Sequence, residues 1–540
     1  MTTSTNSSED DIILSPYTSA LINTISSIKK DTKPHDASFI TVSQTVSFFA
    51  FLYEKVRNAV EFREEHLIRR AAIERILKRR LVLNPDGRGE GENLTRELLW
   101  ARYLTHSSIT QKEVVLIQTI IDHYIFLKKK IVSGRPYNTR ILFLRYLMDF
   151  LTCEIEEELH KDETQKKSAY LYFFYQVLKN KISIKKIPDG IKDTFFYIAC
   201  ESGFAKNDTA YTRYHLFRLS HQSLIESSFS QLEALASNFP EISHHIGKTI
   251  YNEFQLKLSQ FTRKQVASFR ILFAVIDRNP VALNSILTSK KELWKKVDFI
   301  CREKYHETSK KLRRAAVRSV IYIFLTKMLF ILLLEYPLSL YFYKEALIAP
   351  LVVNALFPPI LMTMVVSVVT VPSEKNTRNI YNRIIDILNK DPSFETTKTL
   401  ITHQTTTRRP LLIFGFTVFY LFTFGVTFTL IYYALDFFRF TLVSKTIFIF
   451  FLTVVTFFAY RIRQTAREYT LEDKGNILSP LIDFFFMPIV SVGKLLSQGV
   501  AKINIFILIF DVLIEAPFKL IFEIVEEWIN FIKARKEEIV

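Results

Sequence analysis

Read as a succession of apolar and polar positions, the chain changes character near residue 318. Before that point apolar residues recur every three or four positions among charged ones, the period of helices that bury one face. Val42, Val46, Phe49, Tyr53, Val56 and Val60 form a seam for packing one helix lengthwise on another, and neither Gly nor Pro interrupts the run from His35 to Asn84. Glu65 with Arg69, and Glu74 with Lys78, stand one turn apart and support an exposed helical face. Further helices are predicted over 96–104, 110–132, 137–160, 165–182, 211–236, 241–260 and 262–277, with breaks at Gly134/Pro136, Pro188/Gly190, Pro240 and Pro280. No strand-period alternation bracketed by hairpin turns occurs, so the pattern predicts an all-α fold. The Gly-rich "NPDGRGEGEN" at 84–93 lacks a preceding strand and a GK[ST] ending, and Asp86, Glu90 and Glu92 miss the spacing of a Ca²⁺ loop. It reads as a flexible connector.

Beyond residue 318 the pattern becomes continuous apolar runs. Four of them, 319–342, 346–371, 411–435 and 442–460, have the length of a membrane-spanning helix. Neither Gly nor Pro occurs between Pro280 and Pro337, so one helix could enter the bilayer from the polar region, with a length of about 80 Å at 1.5 Å per residue. The flanking charges set the orientation. Lys310, Lys311, Arg313, Arg314 and Arg318 precede the first run; Lys375, Arg378, Arg383, Lys390, Lys398, Arg408 and Arg409 lie between the second and third; Arg461, Arg463 and Arg467 follow the fourth. The other side carries only Lys344, Arg439 and Lys445. The positive-inside rule then places both termini in the cytosol of a cell (inner) membrane protein whose spans form two hairpins.

The resulting organisation is a flexible polar N-terminus with a short helix (1–34), a helical cytosolic domain (35–288), a basic juxtamembrane helix (289–318), a first transmembrane hairpin (319–371), a cytosolic loop (372–410), a second hairpin (411–460) and a cytosolic or interfacial tail (461–540). Within the tail, 478–499 is apolar but carries Asp483, Pro488 and Gly493, which favours a buried or interfacial helix over a fifth span. From Phe518 an amphipathic helix is expected, its acidic polar face suited to a basic protein surface.

Charge sharpens the division. Residues 1–318 hold 50 Lys/Arg and 36 Asp/Glu, and 319–540 hold 21 and 18, so nearly all of the net +17 lies in the N-terminal part. Eleven Lys/Arg stand against four Asp/Glu between Lys290 and Arg318, which either dock on anionic lipid headgroups or serve only to fix topology. No aromatic RNA-binding motif or zinc finger accompanies the basic clusters, which disfavours nucleic acid. The three cysteines, Cys153, Cys200 and Cys301, are too widely spaced for a CxxC site and fit a reducing compartment.

Two charged residues inside the first apolar run form the main candidate site. On a regular helix Lys327 lies deep and Glu335 near the far interface, and both side chains lean toward the cytosol, so a bond between them along their own helix is not expected. Pro358 and Pro359 of the second run free the carbonyls of Asn354 and Ala355 at the depth of Lys327. Lys327 is therefore expected to reach those carbonyls or the Asn354 amide, with Glu335 beside a break at Pro337. Such a break either locks the hairpin or holds a transported solute, and locking is the favoured reading.

Metal binding has weak candidates in Glu157 with His160 and Glu303 with His306, the Glu-x-x-His spacing of di-iron bundles, but both stand in densely charged surroundings. Glu241 with His244 shares the spacing. No HExxH, G-x-S-x-G or GxxxxGK[ST] occurs, so no catalytic residue and no cofactor is assigned. "LLLEYPL", "NALFPPILM", "DVLIEAPFK" and "EEWINFIKARKEE" together resemble an uncharacterised family of bacterial multi-pass membrane proteins with large helical cytosolic regions. The resemblance covers roughly the C-terminal two-fifths of the chain and implies no activity. The expected function is that of an integral membrane scaffold or assembly protein, in contact with the lipid bilayer and with a cytosolic or membrane protein partner, and able to form a homo-oligomer. The alternative is a subunit of an oligomeric transporter or channel built around Lys327 and the Pro358/Pro359 break.

Overall fold

The computed structural model describes residues 12–28, 64–105, 109–185, 187–280, 282–343, 348–367, 372–389, 399–401, 410–466, 469–471 and 479–502, with scattered positions in 40–55 and 524–535. The expected seam from Val42 to Val60 lies outside the described residues, as does most of the expected amphipathic helix after Phe518. Among the described residues the chain is helical almost throughout, with one short parallel pairing of β1 (Ile182–Ile184) and β2 (Thr399–Ile401). It divides into two compact units, one built mainly from 16–263 and the other from 1–15, 264–394 and 404–507.

The first unit contains α1 (Pro16–Ser27), α2 (Glu65–Leu83), α3 (Glu90–Trp100), α4 (Gln111–Val132), α5 (Tyr137–Leu159), α6 (Lys161–Leu178), α7 (Asp189–Gly203), α8 (Thr209–Arg218) and α9 (Phe229–Ile250). α5 is its axis, packed by α2, α4 and α8, and every residue from Tyr146 to Glu156 is buried. Phe150 stacks on Phe217 at 4.6 Å and meets Phe239 edge-on. α4 and α9 both begin with capping boxes, Thr110 with Glu113 and Ser228 with Gln231, which satisfy two otherwise orphaned N–H groups each. Three expectations are corrected here. Pro240 does not break a helix but lies inside α9, and α7 forms where the sequence pattern predicts no helix. The segment after Asn84 is an ordered turn rather than a flexible connector. Gly87 has φ +65°, and a Cβ there would lie 2.3 Å from Ile125.

α10 (Gln255–Arg278) runs across the division between the units. The second unit contains α11 (Leu283–Thr288), α12 (Lys290–Phe330), a π-helical turn (Ile331–Glu335), α13 (Tyr336–Tyr343), α14 (Ile348–Ser367), α15 (Glu374–Leu388), α16 (Pro410–Phe437), α17 (Leu442–Ala466) and α18 (Ser479–Lys502). Three stretches, Lys290–Tyr341, Phe414–Phe437 and Leu442–Tyr460, are long and apolar enough to cross a membrane. α14 has 20 residues and keeps both Pro358 and Pro359 inside it. α15 is amphipathic and buries Ile380, Ile384 and Ile387, and the Asn376 amide donates to the Tyr305 hydroxyl of α12 at 2.7 Å. Ile12 and Ser15 donate backbone hydrogen bonds to Thr288 and Leu388, so this part of the polar N-terminus is fixed in place. α18 is a single helix with Pro488 inside it, packed on α16 and α17.

Candidate functional site

The site follows from what Pro337 does to its helix. A proline cannot donate to the carbonyl four residues back, and its ring crowds that carbonyl. Here the helix does not break: it widens into the π turn, in which the Tyr336 N–H donates to Ile331 O, five residues back, and then continues to Tyr343. The expected break at Pro337 is therefore corrected to a π turn.

The extra residue in that turn changes which side chains share a face. Eight residues on a regular helix separate two positions by about 80° around the axis. Adding a residue to one turn gives Glu335 the phase that position i+7 has on a regular helix, about 20° from Lys327. Lys327 Nζ lies 3.9 Å from Glu335 Oε2, and both residues are fully buried. The expectation that no pair forms along this helix is corrected.

α14 and α17 complete the cluster. Asn354 Nδ2 donates to Glu335 Oε1 at 2.6 Å and, at 3.4 Å, to the carbonyl of Ser444. These two acceptors fix the orientation of the amide. The Lys327 ammonium lies 4.3 Å from the centre of the Phe451 ring, a cation–π contact from α17. Phe451 is itself held edge-on by Phe330 at 5.3 Å. Apolar layers close the cluster on the same helices: Ile323, Met362, Val455 and Ala459 form one, and Phe448 and Leu452 belong to another with Leu435, Phe440 and Ile489.

The contact expected for Lys327 is not the one formed. Among the described residues Lys327 Nζ, Glu335 Oε2 and Asn354 Oδ1 have no hydrogen-bond partner, and the Asn354 amide serves Glu335 rather than the lysine. Pro358, Pro359 and Ala355 are buried alongside, in and next to the turn that carries Asn354. What the structure brings together is thus Lys327, Glu335 and Asn354, with Phe451 and Ser444 added. The last two left no sequence signal, since a Phe and a Ser in an apolar run are unremarkable until a cation lies beside them.

The remaining candidates lie apart. Lys310, Lys311, Arg313, Arg314 and Arg318 are exposed along α12. Glu303 pairs with Arg278, and His160 faces the backbone carbonyl of Glu156 at 3.2 Å. Glu157 pairs with His215 rather than His160. Among the described residues no group of three His, Cys, Asp or Glu side chains could hold a metal ion.

The first unit has its own buried polar network. His215 of α8 is held between Glu157 Oε1 (Nε2, 2.7 Å) and Glu201 Oε1 (Nδ1, 2.9 Å), so both ring nitrogens act as donors to carboxylates. Burial opposes its charge, but Glu201 and Glu157 outweigh burial and hold the imidazole pKa well above the usual histidine value. Arg69 donates to Glu156 at 2.8 Å and to Glu163 at 3.0 Å, Arg70 to Asp208 at 2.8 Å, and Arg213 to Asp149 at 2.6 Å. Among the described residues no cationic side chain is hydrogen-bonded to Glu154. Burial pushes its carboxyl up to about 7, against the partial relief of the Ile225 N–H at 3.0 Å.

Comparison of the chain with protein-family models, with curated proteins and with solved structures finds no match.

Proposed function

We propose that the chain is a membrane-anchored scaffold or assembly protein. In this reading the four apolar segments cross the cell membrane as two hairpins, and the helical N-terminal domain offers a basic surface to an acidic partner on the cytosolic side. The observation that carries it is the charge balance of the N-terminal part. The described interior of the first unit holds seven carboxylates, Glu54, Glu90, Glu97, Asp149, Glu154, Glu156 and Glu201, against three cationic side chains, Arg69, Arg70 and Arg213. Three of these carboxylates, Glu54, Glu90 and Glu97, are ion-paired with the partly buried Arg75, Arg80 and Arg79, so the basic surface rests mainly on the 50 Lys/Arg against 36 Asp/Glu of residues 1–318.

The polar cluster supports the anchoring half of this reading. A lysine paired with a glutamate and closed off by apolar layers adds no net charge to the bundle, and it ties α12 and the π turn to α14 and α17. The exposed run from Lys310 to Arg318 suits anionic headgroups beside the first apolar segment. Crosslinking followed by pull-down, with the intact protein and with the protein lacking residues 1–288, tests the proposal. Acidic proteins captured by the intact chain in a salt-sensitive way and lost on truncation support it, and an identical set from both chains overturns it.

One observation favours a second reading, a subunit of a transporter or channel. The three atoms of the cluster that lack hydrogen-bond partners could together engage a small polar solute. Solute flux into vesicles containing the purified protein, abolished by Lys327→Met while the protein still folds, would support this second reading over a purely structural lock.

A further inference from the structure

The tail segment 479–502 carries the strongest further inference. On sequence alone its Asp483, Pro488 and Gly493 argue against a place inside the bilayer, yet it forms one uninterrupted helix, α18. Its contacts fall within the apolar stretches of α16 and α17. A Cβ on Gly493 would lie 2.0 Å from the carbonyl oxygen of Thr453 and 2.8 Å from Phe457 Cβ, so the backbones of α18 and α17 touch there. Small residues permit this kind of contact between membrane helices. Phe484 stacks on Phe419 of α16 at 5.2 Å, and the Tyr420 hydroxyl lies 3.3 Å from Ser491 Oγ. Ile489 joins the core formed with Leu435, Phe440, Phe448 and Leu452.

Depth follows from these contacts. Measured from the ends of the apolar stretches at Tyr460 and Phe414, Thr453 and Phe457 lie about 10 and 5 Å in along α17, and Phe419 and Tyr420 about 8 and 9 Å in along α16, at 1.5 Å per residue. Those values fall inside a hydrocarbon core about 30 Å thick, in the third nearest the Pro410 end of α16 and the Ala466 end of α17. Phe486, Met487 and Leu495 of α18 are exposed and apolar, and the exposed Lys494 beside them has a stem long enough to carry its ammonium toward the headgroups. Pro488 leaves one carbonyl without its helical donor, a defect tolerated in membrane helices when neighbouring helices cover it.

We propose that α18 is embedded in the bilayer core beside α16 and α17, with Met487 and Leu495 in contact with lipid acyl chains. The proposal rests on the reading of α16 and α17 as membrane helices. The same experiment therefore includes a residue on α16, Phe422, which is exposed near its middle, and a solvent control, Arg302. The three native cysteines are buried, so single introduced cysteines can be spin-labelled against a low background.

Met487→Cys, Leu495→Cys, Phe422→Cys and Arg302→Cys are labelled in the full chain in lipid vesicles. Relaxation by molecular oxygen, which concentrates in the bilayer core, is compared with relaxation by a water-soluble nickel complex. Oxygen dominating at 487, 495 and 422, with nickel dominating at 302, is the expected result. Oxygen dominating at 422 while nickel dominates at 487 and 495 overturns the embedding of α18 alone. Nickel dominating at 422 as well overturns the membrane reading on which it rests, and the proposal with it.

Discussion

Lys327 and Glu335, eight residues apart on one helix, bring Nζ to 3.9 Å from Oε2 because a π turn stands between them. The turn is a consequence of Pro337, and the Asn354 amide holds the far carboxylate oxygen in place at 2.6 Å. A single proline thus determines which charged groups meet inside the apolar bundle.

Pro337→Ala restores the missing donor and lets the turn relax to regular α geometry. Glu335 then rotates away from Lys327 and Asn354, leaving buried polar groups without partners. Despite the gained backbone bond, thermal unfolding in detergent should show a loss of about 1 to 3 kcal/mol, the usual cost of stranding a buried polar group. A variant as stable as the parent would mean that proline does not set the register.

Gly493→Ala asks a different question of the bundle. The added methyl would collide with the Thr453 carbonyl, a backbone group that cannot swing aside. α17 and α18 must then separate, at about 1 to 3 kcal/mol for overpacking. Gly425→Ala on α16, where a Cβ meets nothing within 4 Å, should be close to neutral in the same measurement.

Two groups in the first unit give stability opposite dependences on neighbouring charge but the same sign in pH. Glu154 is raised to about 7 from an ordinary 4.5, so the folded state retains a proton that the unfolded state releases. Stability therefore falls as pH rises from about 4.5 to 7, by about 3 kcal/mol at 1.36 kcal/mol per pKa unit, and Glu154→Gln should remove that slope. The elevated pKa of His215 contributes stability that is complete below 6.5 and declines as pH rises through the window above it. Relative to His215→Gln, the parent should keep a constant advantage in acid and lose it progressively in base, as followed by thermal unfolding across pH.

The five exposed basic residues before the first apolar segment should act on lipid rather than on folding. Replacing Lys310, Lys311, Arg313, Arg314 or Arg318 by Gln should weaken anionic-lipid binding about fivefold per residue, measured by lipid-dependent thermal stabilisation, and leave stability in neutral detergent unchanged. Equal effects in both settings would assign these residues to internal packing.

Much of this was legible in the sequence, for physical reasons. The apolar runs and the amphipathic period are collective signals over many residues, so the helical class emerged even where boundaries did not. Pro240 reads as a break because proline disfavours helix interiors, but the surrounding face, with Phe239 and Ile246 buried, outweighs the lost hydrogen bond. Asn354 was recognised as part of the polar site because the Pro358/Pro359 pair directed attention to its turn. The Lys327–Glu335 contact was not legible, since regular helical phase separates the two residues and a π turn is a local response invisible to periodicity. His215 was missed because its two carboxylates, Glu157 and Glu201, come from different helices and only the fold brings them together.

The central claim is that Lys327 and Glu335 act as one unit inside the apolar bundle, and a double-mutant cycle tests it most directly. Lys327→Met, Glu335→Gln and the double variant are unfolded in the same detergent, and stabilities are compared with the parent. Each single change should cost about 3 to 5 kcal/mol, since it strands or unbalances a buried charge, and the double variant should be no less stable than the worse single one. Strictly additive losses, with no coupling between the two positions, would contradict the account.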